Sequence, residues 1–220
     1  MTDLPAGPRG DVRALPPAFA AHARDFYAGD AVPAEPRAAA TVLLLRDAAD
    51  VGVEVFMIRR AATMVFAGGL YAFPGGRAEP SDVDIAATAS RELEEETGVS
   101  SVELRAWSRW ITPEFEPRRY DTWFYVAALP GGQEPANLGS EADRAIWCAP
   151  KDALDRFADM MLPPTAVTLA DLAEHPSTAS VLSAALSRDL APILPRVVLD
   201  TDPPRMAIPG DADYPRPDGG

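Results

Sequence analysis

Glu92, Glu95 and Glu96 are the residues whose type and spacing point most directly to chemistry. On a helix turning about 100° per residue they fall within an arc of about 100°. Ile85, Ala86, Ala89 and Leu93 form the neighbouring apolar face, so one side packs while a strip of carboxylates projects beside it. Three close carboxylates repel one another and raise their own pKa values unless a cation intervenes, and a divalent cation removes that penalty. Arg91, four residues before Glu95, can orient it. Glu94 points the other way and reads as solvated. An acid-rich amphipathic helix is by itself ordinarily only surface. The loop before it changes the reading: Gly75-Gly76, after Phe73-Pro74, lets the backbone approach a ligand or metal closely, and a carbonyl there can join a coordination shell.

The stretch from Phe73 to Val99 resembles the Nudix box, GX5EX7REUXEEXGU with U aliphatic. Arg91, Glu92, Leu93, Glu95, Glu96, Gly98 and Val99 match its second half in spacing, and Gly76 matches its opening glycine. The first Glu of the box is replaced by Asp82, and eight residues rather than seven separate it from Arg91. Both departures lie in the loop and bear on its geometry and on the role of Asp82. The resemblance implies an α+β fold, a Nudix-type α/β/α sandwich with a mixed β-sheet and the box as loop–helix–loop, followed here by C-terminal helices. It also implies a hydrolase, using Mg²⁺ or Mn²⁺, that cuts a diphosphate linked to another moiety. Glu92, Glu95 and Glu96 would be catalytic and metal-binding, with the Gly76 carbonyl nearby and Asp82 and Arg91 in support. The family draws its general base from the box helix, here Glu92, which ranks first, or from a later loop, where Glu114, Glu116, Glu134 and Glu141 are the candidates.

Two further stretches bear on substrate. Residues 56–76 resemble the coenzyme-A-type motif LLTxR[SA]x3Rx3Gx3FPGG: Arg60, Ala61, Gly69, Phe73, Pro74, Gly75 and Gly76 are in place, whereas Ile58 replaces the Thr and Val65 the second Arg. Residues 110–130, with Met161–Thr165 and Ile208–Pro215, resemble the acyl-coenzyme A diphosphatase-like group. Arg118 and Arg119 are phosphate-binding candidates beside Arg60, because guanidinium groups offer paired donors and stay charged; the alternative is structural pairing with Glu114, Glu116 or Asp121. Coenzyme A or acyl-coenzyme A is therefore one substrate reading. ADP-ribose, NADH or a (d)NTP is another, and a silent nucleotide-binding module of the same fold is a third.

The elements that must position these residues are legible from pattern. Ala38–Arg46 and Val53–Arg60 read as buried strands, and Ala67–Gly76 as a short strand entering a Gly-rich loop. Ile85–Thr97 reads as the helix, with Asp82 and Asp84 as N-terminal residues and Gly98 as its stop. Trp107–Ile111, Thr122–Leu129 and Ala145–Cys148 read as strands. Asp152–Met161, Val167–Glu174 and Thr178–Arg188 read as helices, and Pro192–Asp200 as a returning strand. Many of the 23 prolines lie toward the ends. They suggest a Pro-rich N-terminal arm over 1–36, with a short helix around Ala18–Tyr27, and a Pro/Gly-rich tail over 202–220 with little regular structure; the Nudix domain and its helical extension occupy 37–201.

Composition narrows the partners. With 20 basic and 33 acidic residues among 220, the net charge is −13, which disfavours nucleic acid and anionic membranes. One cysteine and two distant histidines leave oxygen ligands for a metal, which suits Mg²⁺ or Mn²⁺. No apolar stretch is long enough to span a bilayer and no targeting segment is visible, so the expectation is a cytoplasmic enzyme of a small-molecule diphosphate. Members of the family are often homodimers, and a Pro-rich arm is a segment that two subunits could exchange.

Overall fold

The computed structural model describes residue 15 and residues 17–63, 68–136 and 142–215; Val65 and Glu141 lie outside the described residues. The chain runs α1 (Pro17–Ala28), β1 (Arg37–Ala48), β2 (Gly52–Arg60), β3 (Tyr71–Ala72), β4 (Gly75–Arg77), α2 (Ile85–Thr97), β5 (Arg105–Ile111), β6 (Tyr120–Ala128) and β7 (Ala142–Cys148). It continues through α3 (Pro150–Phe157), a 3₁₀ turn (Ala158–Met160), α4 (Pro163–Leu172), α5 (Thr178–Ala185), β8 (Arg196–Val198) and β9 (Arg205–Ala207).

β1 is the organising strand. Ala39–Leu45 is buried throughout because both faces of the sheet are covered, which explains a sequence apolar at every position but Thr41. One edge of β1 pairs in parallel with β6, from Arg37 opposite Tyr120 to Leu45 opposite Ala128. The other edge is divided: β4 pairs antiparallel with its beginning, Ala39 opposite Arg77, and β2 with its end, Leu45 opposite Val55. β5 extends the sheet beyond β6, and β3 and β7 both pair with β2, giving seven strands of mixed direction.

Alternation along β1 separates two layers of core. Ala40, Val42 and Leu44 pack with Ala89 and Leu93 of α2 on one face. Leu43 and Leu45 pack with Leu154, Ala166, Leu169 and Leu172 from α3 and α4 on the other. This is the expected α/β/α sandwich with added C-terminal helices, and Leu93 is fully buried, as its place on the apolar face required.

α2 has the expected bounds, and each end has a local cause. The Asp84 carboxylate accepts the Ala87 N–H at 2.7 Å, capping the N-terminus. Gly98 takes φ 75° and donates its N–H to the Glu94 carbonyl, a left-handed turn that a glycine makes without a Cβ penalty.

Three expectations change. Gly75-Gly76, read as loop, lie in β4, because the beginning of β1 offers them a ladder. The tail, expected to hold little regular structure, supplies β9, which pairs with β8. The N-terminal arm forms α1 close to the expected helix, and that helix is docked rather than extended: Ala20 and Ala23 pack with Phe115, Val197 and Met206. Among the described residues no helix is long and apolar enough to cross a membrane.

Candidate active site

The glycine strand and the box helix meet at side-chain distance. A Cβ added at Gly76 would fall 2.5 Å from Cδ of Glu92 and 2.7 Å from its Oε2, so the Glu92 carboxylate rests directly on this glycine. One residue earlier, the Gly75 N–H donates to Glu96 Oε2 at 2.9 Å. Thr41 Oγ1 donates to the Pro74 carbonyl at 2.7 Å, and the Val42 N–H donates to the same oxygen, so β1 pins the segment that carries both glycines. Glu92 and Glu96 stand one helical turn apart and therefore project from the same side of α2 toward β4.

Arg91 is the hub of this end of the helix. Its Nε and Nη2 donate to the two oxygens of Asp82 at 3.1 and 3.0 Å. Its Nη1 donates to Glu92 Oε1 at 2.9 Å and to Glu95 Oε2 at 3.1 Å, and its Nη2 also reaches the Arg77 carbonyl at 3.1 Å. Asp82 in turn accepts the Glu79 N–H and the hydroxyl of Thr88, each at 2.9 Å. The Arg91 guanidinium, followed by the Glu79 N–H, holds the Asp82 carboxyl well below the usual carboxylate range, and Asp82 raises Arg91 reciprocally. The extra loop residue is thus absorbed, and the shorter Asp82 still reaches Arg91. Asp82 ties the loop to the helix, while Asp84 makes the cap. Sequence reasoning missed Thr88; its signal was a polar residue beside the apolar face of a helix, where a hydroxyl needs a partner.

The remaining candidates are dispersed. Glu95 has a side chain 59% exposed and turned to Arg91. Among the described residues no group of three His, Cys, Asp or Glu side chains is gathered as a ready metal cluster. The donors held against the glycine strand, Glu92 on Gly76 and Glu96 on the Gly75 N–H, are hard oxygens, and the space a Cβ would fill at Gly76 is taken by a carboxylate; this chemistry fits Mg²⁺ or Mn²⁺. Arg60 closes β2, where its N–H donates to the Leu70 carbonyl. Arg118 is exposed in the segment between β5 and β6. Arg119 is only 9% exposed, with Nε donating to the Thr112 carbonyl at 3.0 Å and Nη1 to the Ala34 carbonyl at 2.7 Å. Of the later glutamates, Glu134 is exposed and Glu114 half-buried. Burial pushes the Glu116 carboxyl up, partly opposed by His22 of α1, whose Nε2 lies 2.8 Å from the Phe115 carbonyl.

The NUDIX domain family matches residues 35–170, a span that includes β1, the glycine strand, α2 and the sheet. The chain belongs to the Nudix family. A Nudix hydrolase from Alicyclobacillus acidocaldarius has a similar solved structure, with TM-score 0.64 and 28% identity over 72% of this chain and 99% of that one. The human mitochondrial coenzyme A diphosphatase NUDT8 is 30% identical over 105 residues, 48% of this chain and 44% of that protein. The uncharacterized Nudix hydrolase NudL of Photorhabdus laumondii is 49% identical over 78 residues, 36% of this chain and 41% of that protein. The matched segments thus span less than half of these two curated relatives. Nudix hydrolases generally work with divalent cations on small diphosphates.

Proposed function

We propose that this Nudix chain is a Mg²⁺- or Mn²⁺-dependent hydrolase that cleaves the diphosphate of coenzyme A or acyl-coenzyme A, giving 3′,5′-ADP and (acyl-)phosphopantetheine. The observation that carries the reading is the placement of Glu92 on Gly76 and of Glu96 on the Gly75 N–H. Coenzyme A is favoured by the partial motif at Arg60–Gly76 and by the similarity to a coenzyme A diphosphatase. Glu92, Glu95 and Glu96 would hold the cation, with the Gly76 carbonyl beside them. A divalent cation supplies neutralisation of diphosphate charge and activation of the attacking water. Glu92 is the first candidate to accept the proton of that water. Arg91 holds Glu92 and Glu95 in place and offsets their mutual repulsion. Arg118, exposed on its loop, is the candidate to clamp a phosphate oxygen; the main-chain bonds of Arg119 favour a structural role for it. Water adds across one phosphoanhydride bond, so each product leaves with a phosphomonoester.

The test is a panel of coenzyme A, acyl-coenzyme A, ADP-ribose, NADH, dinucleoside polyphosphates and dNTPs, incubated with Mg²⁺ or Mn²⁺ and with products identified by mass. The proposal expects cleavage of coenzyme A or its acyl esters to 3′,5′-ADP. Turnover confined to ADP-ribose, NADH or dNTPs selects the other substrate class. No turnover on any member selects the non-catalytic module.

A further inference from the structure

The loop that leaves the glycine strand borders an open groove of about 730 Å³, lined by Arg37, Ala38, Arg77, Ala78, Glu79 and Pro80. Arg77 directly follows the glycine on which Glu92 rests, and its carbonyl is held by Arg91. Arg77 stands opposite Ala39 in the β1–β4 ladder, two residues from Arg37. Alternate residues share a face, so the two arginines are diagonal neighbours on one face, with a Cα separation of about 7–8 Å. That spacing lets two guanidinium groups converge on one tetrahedral anion. Arg37 also pairs with Tyr120 at the start of β6, which brings exposed Arg118 to the same end of the sheet.

Charge makes the arrangement informative. In a chain of net charge −13, Arg46, Arg59, Arg105, Arg109 and Arg188 each meet a carboxylate. Arg37 and Arg77 are exposed and, among the described residues, neither makes an ion pair. Glu79 is the acidic member of the lining, and Asp82 fixes its main-chain N–H. Gly76 pairs with Ala40, which faces α2, whereas Arg77 pairs with Ala39 on the opposite face. The two arginines therefore stand on the face turned away from α2, and the groove they border lies at the rim where β1 begins, beside the segment that carries Glu92 and Glu96.

We infer that this groove binds a phosphomonoester of the substrate remote from the scissile diphosphate, with Arg37 and Arg77 as its cationic walls. The inference rests on the proposed hydrolase reading and deepens it: the 3′-phosphate of coenzyme A is such a group, and dephospho-coenzyme A, ADP-ribose and NADH lack it. Arginine suits the task because its planar fork stays charged and donates in pairs.

The test separates binding from turnover. Adenosine 3′,5′-bisphosphate and AMP are titrated calorimetrically into the full chain with Mg²⁺, for wild type, Arg37→Ala, Arg77→Ala and Arg77→Lys. Wild type is expected to bind the bisphosphate about 10-fold or more tightly than AMP, the range of one charge-assisted contact. Each Ala variant is expected to lose most of that preference with AMP affinity unchanged, and Arg77→Lys to keep part of it. Equal affinity of wild type for both nucleotides, survival of the preference in either Ala variant, or a parallel loss for both nucleotides overturns the site. Hydrolysis of coenzyme A against dephospho-coenzyme A is measured alongside. If wild type cleaves neither, the coenzyme A reading fails, and the titration still decides the groove. Both side chains are exposed, so matched melting temperatures are expected and confirm that the variants are folded.

Discussion

Gly75 and Gly76 sit side by side and are expected to answer substitution in opposite ways. A Cβ at Gly75 would meet Thr41 Cα at 2.6 Å and run still closer to the Ala40 carbonyl oxygen, both backbone atoms that cannot swing aside. Gly75→Ala is expected to destabilise the fold by about 1–3 kcal/mol, the usual cost of overpacking, read as a lower urea midpoint. The nearest atoms to a Cβ at Gly76 all belong to the end of the Glu92 side chain, which can rotate away. Gly76→Ala should therefore melt near wild type while losing activity and Mn²⁺ affinity, and an early melt would show that Gly76 serves packing instead. Asp82 makes a pH-dependent prediction. Its folded pKa is depressed by Arg91, so its contribution to stability is complete above the unfolded value of about 3.9 and is lost as pH falls through the folded one. Asp82→Asn should thus melt below wild type at pH 7, with the gap narrowing as the pH drops below about 4. A gap independent of pH would mean that the side chain acts through shape alone. The residue types of this centre were readable from the box spacing. The Asp82–Thr88 contact was not, because six residues across a helix start define no fixed register until the cap at Asp84 is placed.

At the scale of elements, the loop between β5 and β6 is held from two sides. His22 meets the Phe115 carbonyl, and Arg119 donates to the Thr112 and Ala34 carbonyls, tying the loop to the segment before β1. Removing a buried guanidinium leaves those carbonyls without its donors. Arg119→Ala is expected to lose about 1.5–3 kcal/mol of stability, with KM of the folded protein unchanged. Arg118→Ala should do the reverse, lowering kcat/KM about 10- to 150-fold if its contact with phosphate is charge-assisted and bidentate, with an unaltered melting temperature. A kinetic loss in Arg119→Ala without early melting would return that residue to the substrate site. These opposite behaviours show what adjacent identical residues conceal in a sequence: chain position says nothing of which arginine turns inward. α2 was legible to its bounds because its cap, apolar face and stop residue agree. β4 and β9 were not, since three residues carry no period, and their strand character comes from β1 and β8, to which they pair.

At the largest scale, the chain forms a sandwich whose two faces are covered by different segments and carries a net charge of −13. Alternation in β1 assigns α2 to one face and α3 and α4 to the other, and that division was implicit in a stretch, Ala38–Leu45, that is apolar at every position but Thr41. The docking of α1 against Phe115, Val197 and Met206 was hidden by proline-rich composition, which reads as extended chain until a distant partner is known. With net charge −13, the proposed diphosphate substrate would need divalent cation and local arginines to offset repulsion. The most direct measurement is turnover of the best panel substrate by Glu96→Gln at saturating Mg²⁺, alongside its melting temperature without metal. Gln keeps an oxygen to accept the Gly75 N–H but loses the charge a cation requires. Turnover is expected to fall by orders of magnitude while metal-free melting holds or rises. Near-wild-type turnover by a folded Glu96→Gln would remove Glu96 from the metal site.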